Sequence, residues 1–533
     1  MANNNVNFIL HAHMPFVRHP EYKRFLEEDW LFESINESYL PLLKMLKGLK
    51  KKNVKFKLTM CFSPTLISML TDPVLQQHYV DYLELHKKLG IKEVVRCTKE
   101  QPESVDMAKK YLNLIETNLK DYETVYKRNI LTGFKELHDY GYIELLASAA
   151  TYAFLPVYSE FPVAINAQVS VGIQTFVEEF GFNPDGFWLP ELGYYPGVEK
   201  ILAQHGITYI PCSSQALLFS EDRCDTGVYK PVKTCNGITL FPRDFQVTNL
   251  VWSEEGYPAA KEYREFYRDI GYDLDLEYIR PFIHEPDVRV FTGFKYWAVT
   301  NNGNEKDIYN KEKASALAKQ QAKNFIFNIG SKGRQVRPNL GSDDPLFTLC
   351  FDAELFGHWW YEGLDWLEQF ITSSSEELSP VTLTTPADFM KDRAKFQRIK
   401  PALSSWSSGG FSQIWIDGSN SWVYRHTHKT VERMVELTDR YRNQESLKKR
   451  FLNQAAREVL LSMAGDWPYL LYTKANSEFA KNQLESHIQN FNVVYTNMCK
   501  NAVNTEWLVK SEARDKIFPN IDYNIFNYIE YHR

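Results

Sequence analysis

Residues 187–195, with the sequence FWLPELGYY, place one carboxylate, Glu191, after a short apolar run and among aromatic rings. Pro190 restricts the backbone before this carboxylate, and Gly193 permits a tight turn after it. Residues 346–360, LFTLCFDAELFGHWW, repeat the arrangement around Asp352. The two segments predict buried β-strands, each followed directly by an acid.

Further short apolar runs occur along the chain and are often followed by polar residues. Together with the two acid-bearing segments they cover 6–10, 55–60, 142–146, 186–189, 207–210, 288–291 and 346–351. Amphipathic helical stretches separate most of them, which indicates a parallel sheet built from alternating strands and helices. In a β/α barrel the carboxyl ends of the strands form the active site. About seven strands are predicted, so an incomplete or irregular barrel is also open.

Two regions depart from this alternation and divide the chain. Residues 98–138 are charged and helical in period, and we interpret them as a helical insertion. Helical patterns dominate the last part of the chain, where 430–442, 452–464 and 478–498 carry apolar stripes. The predicted domains are therefore a barrel over 1–97 and 139–400, an insertion over 98–138, and a C-terminal helical domain over 401–533.

Composition excludes several classes of protein. The 533 residues carry a net charge of −6, which does not fit a nucleic-acid-binding surface. The seven cysteines are scattered and include no CxxC pair, so neither a disulfide framework nor a zinc knuckle is indicated. We find no signal peptide and no apolar run that would span a membrane. The expected location is the reducing cytoplasm.

Two acids among aromatic rings are what glycosidic bond cleavage requires. One carboxyl gives a proton to the leaving oxygen, and the other meets the developing oxocarbenium ion. Glu191 could instead be a salt-bridged core residue, and Asp352 could be the N-cap of the helix that follows. Glu354 lies two residues after Asp352, so in a strand it would share the same face and could orient that acid.

The segment His11-Ala12-His13 permits two interpretations. Alternation along a strand places both imidazoles on one side, where they could bond sugar hydroxyls or begin a metal site. A metal site needs further ligands at later strand ends, and the other histidines do not supply them. Sugar binding is therefore the preferred interpretation, with a metal-dependent barrel hydrolase as the alternative.

Three tryptophans stand beside small or polar residues, and one polar loop has the composition of a lid. Trp252, Trp406 and Trp415 could each stack on a sugar ring or pack ordinarily in the core. Residues 220–232 could form a mobile loop over the site or a plain surface connector.

Several motifs in order resemble a known family. They are His11-Ala12-His13-Met14-Pro15, GYIEL at 141–145, TYAFLP at 151–156, WLPE at 188–191, FDAELFGHW at 351–359, Ser405-Trp406 and AGDWP at 464–468. Together they resemble glycoside hydrolase family 57, and most of all its α-1,4-glucan branching enzyme group. The resemblance implies a distorted (β/α)7 barrel with a helical insertion and a C-terminal all-helical domain.

The resemblance also implies the roles of individual residues. Glu191 would be the nucleophile and Asp352 the general acid/base of a retaining double displacement, with no metal and no cofactor. The expected partner is an α-glucan polysaccharide, and the expected assembly is a monomer or a small homo-oligomer. The candidate substrate-binding residues are His11, His13, Glu144, Tyr152, Trp252, Glu354, His358, Trp406, Trp415 and Asp466.

Two positions differ from the family pattern. Tyr152 stands where the family usually has histidine, and Thr226 aligns with a loop tyrosine of the branching enzymes. Tyr229 is close to that position but is not assigned to it. Loss of a lid contact would admit water and favour hydrolysis over transfer. An α-amylase, a 4-α-glucanotransferase and a glucan-binding protein with little turnover therefore remain as alternatives.

Overall fold

A computed structural model describes residues 3–300, 306–341, 343–391 and 395–527. Its strands are β1 (Asn4–Ala12), β2 (Leu58–Phe62), β3 (Ile143–Ser148), β4 (Phe187–Trp188), β5 (Tyr209–Cys212), β6 (Val232–Lys233), β7 (Thr239–Pro242), β8 (Leu346–Asp352) and β9 (Val381–Thr384). A short 3-10 turn, Pro190–Leu192, follows β4, and another, Ala353–Leu355, follows β8.

The helices lie between and after these strands. They are α1 (Glu28–Ser34), α2 (Leu40–Lys51), α3 (Pro64–Leu70), α4 (Pro73–Glu100), α5 (Val105–Lys120), α6 (Leu131–Asp139), α7 (Pro162–Phe180), α8 (Val198–Gln204), α9 (Gln215–Leu218), α10 (Phe245–Trp252), α11 (Ile270–Asp273), α12 (Leu276–Ile279), α13 (Lys311–Val336), α14 (Gly363–Ser374), α15 (Pro386–Lys391), α16 (Trp422–Arg440), α17 (Ser446–Ser462), α18 (Asp466–Thr473), α19 (Ser477–Cys499) and α20 (Thr505–Arg514). A π-helical turn, Ile35–Tyr39, joins α1 to α2. None of the helices in the described ranges combines the length and apolar character that crossing a bilayer requires.

Seven parallel strands form a ring. One sheet has the order β4-β3-β2-β1-β8, and the other contains the parallel pair β5 and β7. Single parallel bridges, Gly186 with Tyr209 and Arg243 with Thr348, connect the two sheets on both sides. The ring therefore runs β1-β2-β3-β4-β5-β7-β8, and it is distorted where β4 is only 2 residues long. The predicted distorted seven-stranded barrel is confirmed.

The strand predicted at residues 288–291 is wrong. Residues 288–291 form no strand, and Val288 makes only an isolated bridge with His284. The barrel strand that the sequence analysis missed is β7, whose four residues lie between the short antiparallel partner β6 and a polar turn. The equally short strand β5 was predicted, so length alone does not explain the omission of β7.

Alternation along the strands decides which side chains reach the barrel interior. Ile9 and Cys350 belong to the inner cluster, whereas Phe8 and Phe351 belong to the outer core beneath the helices. Because side chains alternate with a period of two, the residues two positions after these inner ones, His11 and Asp352, also point inward. The mouth of the barrel therefore receives both a histidine and an acid from adjacent strands, which pair as His11 with Asp352.

The helical parts differ from the predicted boundaries. The boundary at residues 97 and 98 falls inside α4, which begins at Pro73 and packs along α5. The C-terminal helices α16 to α20 begin at Trp422 rather than at 401, and the preceding segment runs along the barrel mouth, where Ser404 pairs with Tyr194. A helical insertion and a C-terminal helical domain are present in this revised form.

Gly172 marks the place where α7 crosses the end of β3. A Cβ atom there would overlap the carbonyl oxygen of Ser148 and lie 3.1 Å from the amide nitrogen of Ala150.

We expect Gly172→Ala to destabilise the fold by about 1–3 kcal/mol through overpacking, measured by chemical denaturation. The matched control is Gly48→Ala in α2, where nothing lies within 4 Å of the new methyl group. This control should be neutral or stabilising by about 0.5–1 kcal/mol. Equal stability of the two variants would contradict this packing.

Candidate active site

The structure brings Glu191 and Asp352 to the same mouth of the barrel. Asp352 is the last residue of β8, and Glu191 lies in the turn directly after β4. Glu191 adopts the left-handed backbone conformation, with φ 59° and ψ 21°. A non-glycine residue held in this region costs on the order of 1–3 kcal/mol, and such residues cluster at functional sites. The fold therefore holds Glu191 in a strained position that aims its side chain into the mouth.

Two hydrogen-bond donors hold the carboxylate of Glu191. The Tyr152 hydroxyl donates to Oε1 at 3.1 Å, and the Trp406 indole Nε1 donates to Oε2 at 2.8 Å. The same hydroxyl accepts from the Glu191 amide at 3.2 Å and from Trp188 Nε1 at 3.4 Å. Tyr152 stands where the expected family pattern has histidine, and its hydroxyl still forms hydrogen bonds with Glu191.

Asp352 has a poorer supply of donors. His11 Nδ1 lies 3.4 Å from Oδ1, a long contact between adjacent strands. The His11 ring stacks on Trp188 with centroids 4.7 Å apart, and on the other candidate-site ring, Tyr152, at 4.9 Å. Burial lowers the pKa of His11 well below its usual value, and the charge of His13 acts in the same direction. His11 is therefore neutral at physiological pH.

The electrostatics of the mouth favour a state in which one of the two acids is protonated and the other is charged. Burial, and next the charge of Asp352, raise the pKa of Glu191 to about 7. Burial likewise raises the pKa of Asp352 to about 7, against the opposing charge of Arg243. Glu191 accepts two good hydrogen bonds in its charged form, whereas Asp352 accepts one long contact. We therefore assign the negative charge to Glu191 and the proton to Asp352.

Arg243 was not identified from the sequence, although its charge acts on Asp352. It follows β7, is buried, and its guanidinium lies over the Trp406 ring at 5.3 Å. Among the described residues, its Nε finds no hydrogen-bond acceptor. Its position directly after a strand could have identified it, but β7 was not predicted.

His13 joins the barrel to the C-terminal domain. Its Nδ1 bonds Ser63 Oγ at 2.8 Å, and its Nε2 bonds Oδ1 of Asp466 at 2.9 Å. Its ring stacks on Tyr152 with centroids 3.9 Å apart. Asp466 opens α18, so a residue more than four hundred positions away fixes the orientation of this histidine.

Glu354 lies beneath the mouth rather than in it. It is buried, and its Oε1 accepts from the His13 amide at 3.1 Å and from the Tyr39 hydroxyl. Burial, and next the charge of Asp352, raise the pKa of Glu354 to about 8. It therefore acts as a neutral support for the loop after β8. Tyr39 and Ser63, which complete these contacts, were not predicted.

The tryptophan predictions need a correction for Trp415. Its side chain is buried, with its ring on Phe154 at 4.7 Å and on Tyr469 at 6.1 Å. A ring covered by two others cannot stack on a sugar. The exposed partner is Tyr469 of α18, whose pKa is raised first by burial and then by the charges of Glu191 and Asp352. Tyr469, which was not identified from the sequence, therefore lies within range of the charges of both acids.

Glu144 and Trp252 are not brought to the mouth. Glu144 lies near the start of β3, at the opposite end of the barrel, where it accepts from the Tyr209 hydroxyl and from the Ala387 amide at 3.2 Å. Trp252 packs over Phe351, a residue of the outer core, with centroids 6.4 Å apart. In the described part of the chain, no hydrogen bond or ring contact joins either residue to the two acids.

Tyr229, the tyrosine of residues 220–232, does not lie over the mouth. Its carbonyl accepts from the amide of Leu346 at 2.9 Å, and its amide donates to Thr226. Leu346 begins β8, six residues before Asp352, which is about 20 Å along a strand. The end of this segment therefore runs along the lower part of the barrel, whereas its start lies beside residues 397–400, where the amide of Glu221 donates to the carbonyl of Lys400 at 3.2 Å.

His358 stands at the edge of the site. In the described part of the chain, His11 and His13 do not belong to a group with metal-ligand spacing. His358 Nδ1 bonds Oε2 of Glu37 at 2.8 Å. Within the described ranges, the group with metal-ligand spacing is Glu458, His487 and Asp515 in the C-terminal domain, where Arg514 pairs with Asp515. A cluster already balanced by an arginine has the character of a buried ion-pair network.

The arrangement as a whole suits acid-assisted attack on a buried acetal. A charged carboxylate and a protonated carboxyl are assigned to one mouth lined by rings, and the neutral imidazole of His11 stands beside them. These are the requirements of glycoside cleavage with a covalent intermediate.

Comparison with known proteins agrees with this site. Residues 7–402 match the model of glycosyl hydrolase family 57, and residues 426–526 match the model described as 1,4-alpha-glucan branching enzyme, C-terminal. The 1,4-alpha-glucan branching enzyme of Thermococcus kodakarensis is 28% identical over 520 residues, which cover 91% of this chain and 72% of that protein.

Two solved structures are similar over almost the whole chain. The alpha-amylase AmyC from Thermotoga maritima superposes with a TM-score of 0.92 at 36% identity, covering 99% of both chains. The branching enzyme from Pyrococcus horikoshii gives a TM-score of 0.88 at 28% identity, covering 99% of this chain and 97% of its own. With the family model spanning most of its length, the chain belongs to glycosyl hydrolase family 57.

Proposed function

We propose that this protein is a 1,4-α-glucan branching enzyme that acts by double displacement with retention of configuration. Glu191 is the nucleophile because two donors favour its charged form and leave it free of a proton. Asp352 is the general acid/base because burial holds a proton on it near neutral pH. Of the predicted residues, His11, His13, Tyr152, Trp406 and Asp466 surround these two.

The reaction proceeds in two balanced steps. Glu191 attacks the anomeric carbon while Asp352 gives its proton to the leaving 4-oxygen, which releases the reducing-end part of the chain. Asp352 then removes the proton from the 6-hydroxyl of another glucan chain. That oxygen attacks the anomeric carbon, forms the α-1,6 bond and releases Glu191 as a carboxylate. His11 stays neutral throughout and steadies Asp352.

One observation supports branching. The region that matches the branching-enzyme C-terminal model contributes to the mouth itself. Asp466 bonds His13, and the charges of both acids act on Tyr469. The C-terminal domain therefore forms part of the surface on which an acceptor chain would lie.

Hydrolysis is the second candidate, and one observation favours it. Tyr229 is held near the start of β8, so this tyrosine does not lie over the mouth to exclude water. The similar Thermotoga structure is also described as an alpha-amylase. Water would then take the place of the 6-hydroxyl in the second step.

We further propose an α-glucan as the partner and the cytoplasm as the location. The seven cysteines are all free, which suits a reducing compartment. We also expect a monomer or a small homo-oligomer, which size-exclusion chromatography with light scattering would determine.

Incubation with amylose tests the function directly. We expect new α-1,6 branch points, seen as short chains after isoamylase treatment, with few new reducing ends. The Glu191→Gln variant should abolish the products, and Asp352→Asn should slow their formation by about 10²–10⁴-fold. The exposed residue Glu160 provides the matched control, because Glu160→Gln should retain full activity.

The same incubation separates the two candidates. Reducing ends without branch points would contradict branching and establish hydrolysis. The first-formed reducing ends, followed by proton NMR, should be the α-anomer if Glu191 acts as a nucleophile. A β-anomer would contradict the double displacement in either case.

The hydrogen bond from Trp406 makes a prediction about pH. Below the pKa of Glu191 the nucleophile is protonated, and above the pKa of Asp352 the acid is lost, so kcat/KM should be bell-shaped. Trp406→Phe removes a donor from the charged form of Glu191 and should raise its pKa. The acid limb should move upward by about one pH unit, because a hydrogen bond to a charged group contributes about 1.5–3 kcal/mol. The alkaline limb is the internal control and should move less. An unmoved acid limb would contradict the assigned role of Trp406.

A further inference from the structure

A row of aromatic rings lies beside the catalytic mouth and is not explained by the chemistry there. The Phe266 ring stands 5.5 Å from His358 and 5.5 Å from Phe291, and Phe291 stands 5.2 Å from Tyr272. The row ends in exposed rings, since Tyr272 is 48% and Trp359 is 46% exposed. Large rings held in a line at the surface are an arrangement that binds extended ligands with flat apolar faces.

Glu33 lies under this row without a hydrogen bond. The residue is only 9% exposed, and its Oε2 is 3.9 Å from His358 Nε2, beyond hydrogen-bond distance. In the described ranges no donor reaches its carboxyl group. The contact with His358 places it beside the inner end of the ring row. A buried carboxyl without a partner can be satisfied by a ligand hydroxyl.

The charges around Glu33 favour a neutral ligand over a cation. Lys295 lies 4.2 Å from the Phe266 ring and 4.1 Å from the Phe291 ring, and the charge of Asp269 acts on it. Asp269 is further satisfied by the backbone amides of residues 271, 292 and 293.

The other acid of the cluster is balanced as well. Glu37 bonds His358, and the guanidinium of Arg264 lies 3.9 Å from its Oε2. Burial, and next the charge of Glu37, raise the pKa of Glu33 well above its usual value. Its carboxyl oxygens remain without a hydrogen-bond donor in the described ranges, and the hydroxyl of a sugar can supply one.

The ring row is continuous with the catalytic mouth. The π-helical turn that follows α1 contains Glu37 and Tyr39, and Tyr39 bonds Glu354. Ser38 of the same turn donates to the carbonyl of Phe356 at 2.9 Å. The loop after Asp352 therefore carries this acid at one end and two rings of the row, His358 and Trp359, at the other.

We propose that this aromatic crevice binds the outer glucose residues of an α-glucan chain whose reacting bond lies between Glu191 and Asp352. The rings would cover the apolar faces of the sugars, and Glu33 would bond their hydroxyls. The inference rests on the proposed function, since it extends the same glucan-binding surface. The aromatic crevice consists of Glu33, Phe266, Tyr272, Phe291, His358 and Trp359.

Glucan binding by the full-length protein tests the crevice apart from turnover. In the inactive Glu191→Gln background, the double substitution Tyr272→Ala with Trp359→Ala should weaken binding to soluble amylose about tenfold. The measurement is retardation in native gels that contain amylose. The matched control is Phe327→Ala in α13, which removes a ring that is also exposed, at 64%, and should leave retardation unchanged. Equal retardation of the double variant and its parent overturns the crevice.

The acid under the rings is tested by two substitutions in the same background. Glu33→Gln keeps groups that donate and accept, so amylose binding should stay within about twofold. Glu33→Leu removes them and should weaken binding about fivefold or more, through the loss of one or two hydrogen bonds. Thermal melting of both variants confirms that they are folded. Unchanged binding by Glu33→Leu overturns the role of Glu33. Calorimetric binding of Ca²⁺ that Glu33→Gln abolishes would instead make this a cation site.

Turnover separates the failure of the crevice from the failure of the function. If the unsubstituted enzyme neither binds nor converts amylose, the proposed function is wrong. If it converts amylose and the double variant has the same KM for amylose, the function stands and the crevice is wrong. The expected result is an increase of about tenfold in KM for amylose in the double variant.

Discussion

Two half-buried carboxyls at one mouth compete for a single negative charge, and this constraint organises the site. Desolvation penalises the charge of each acid, and the charge of Asp352 further penalises that of Glu191. Hydrogen-bond donors are distributed unequally between them. Glu191 has the Tyr152 hydroxyl and the Trp406 indole, whereas Asp352 has one long contact from His11. In the proposed mechanism this asymmetry distinguishes the nucleophile from the proton donor.

The same constraint explains why the site needs parts of the chain that are far apart. Tyr152 follows β3 and Trp406 lies beyond the barrel strands, while Asp466 comes from α18 and orients His13. The C-terminal domain is held to the barrel by further buried contacts. Thr151 donates to the carbonyl of Leu460, and Arg18 donates to the carbonyl of Arg514 at 3.0 Å. The helical domain is therefore a structural part of the catalytic mouth, and its match to a branching-enzyme region bears on the chemistry.

Much of the fold was predictable because it depends on local periodicity. The apolar runs before Glu191 and Asp352 correctly identified β4 and β8 and placed both acids at strand ends. Prediction failed at two places. The four residues of β7 were not recognised as a strand, and their loss also hid Arg243. Residues 288–291 look like a strand, yet their neighbours offer only an isolated bridge. A strand exists only when another strand pairs with it, and the partner is not visible locally.

The candidate site shows the same division. The sequence by itself determined the residue types, the strand-end positions of the two acids and the face on which His11 and Asp352 lie, because a period of two is a local property of the backbone. Only the tertiary structure decided that Glu144 lies at the far end of the barrel, that Trp415 is buried under Tyr469, and that Tyr229 lies near the start of β8. It also decided how many hydrogen-bond donors reach each acid. Burial, hydrogen-bond supply and charge proximity depend on residues that meet in space, and the order of the chain does not state which residues those are.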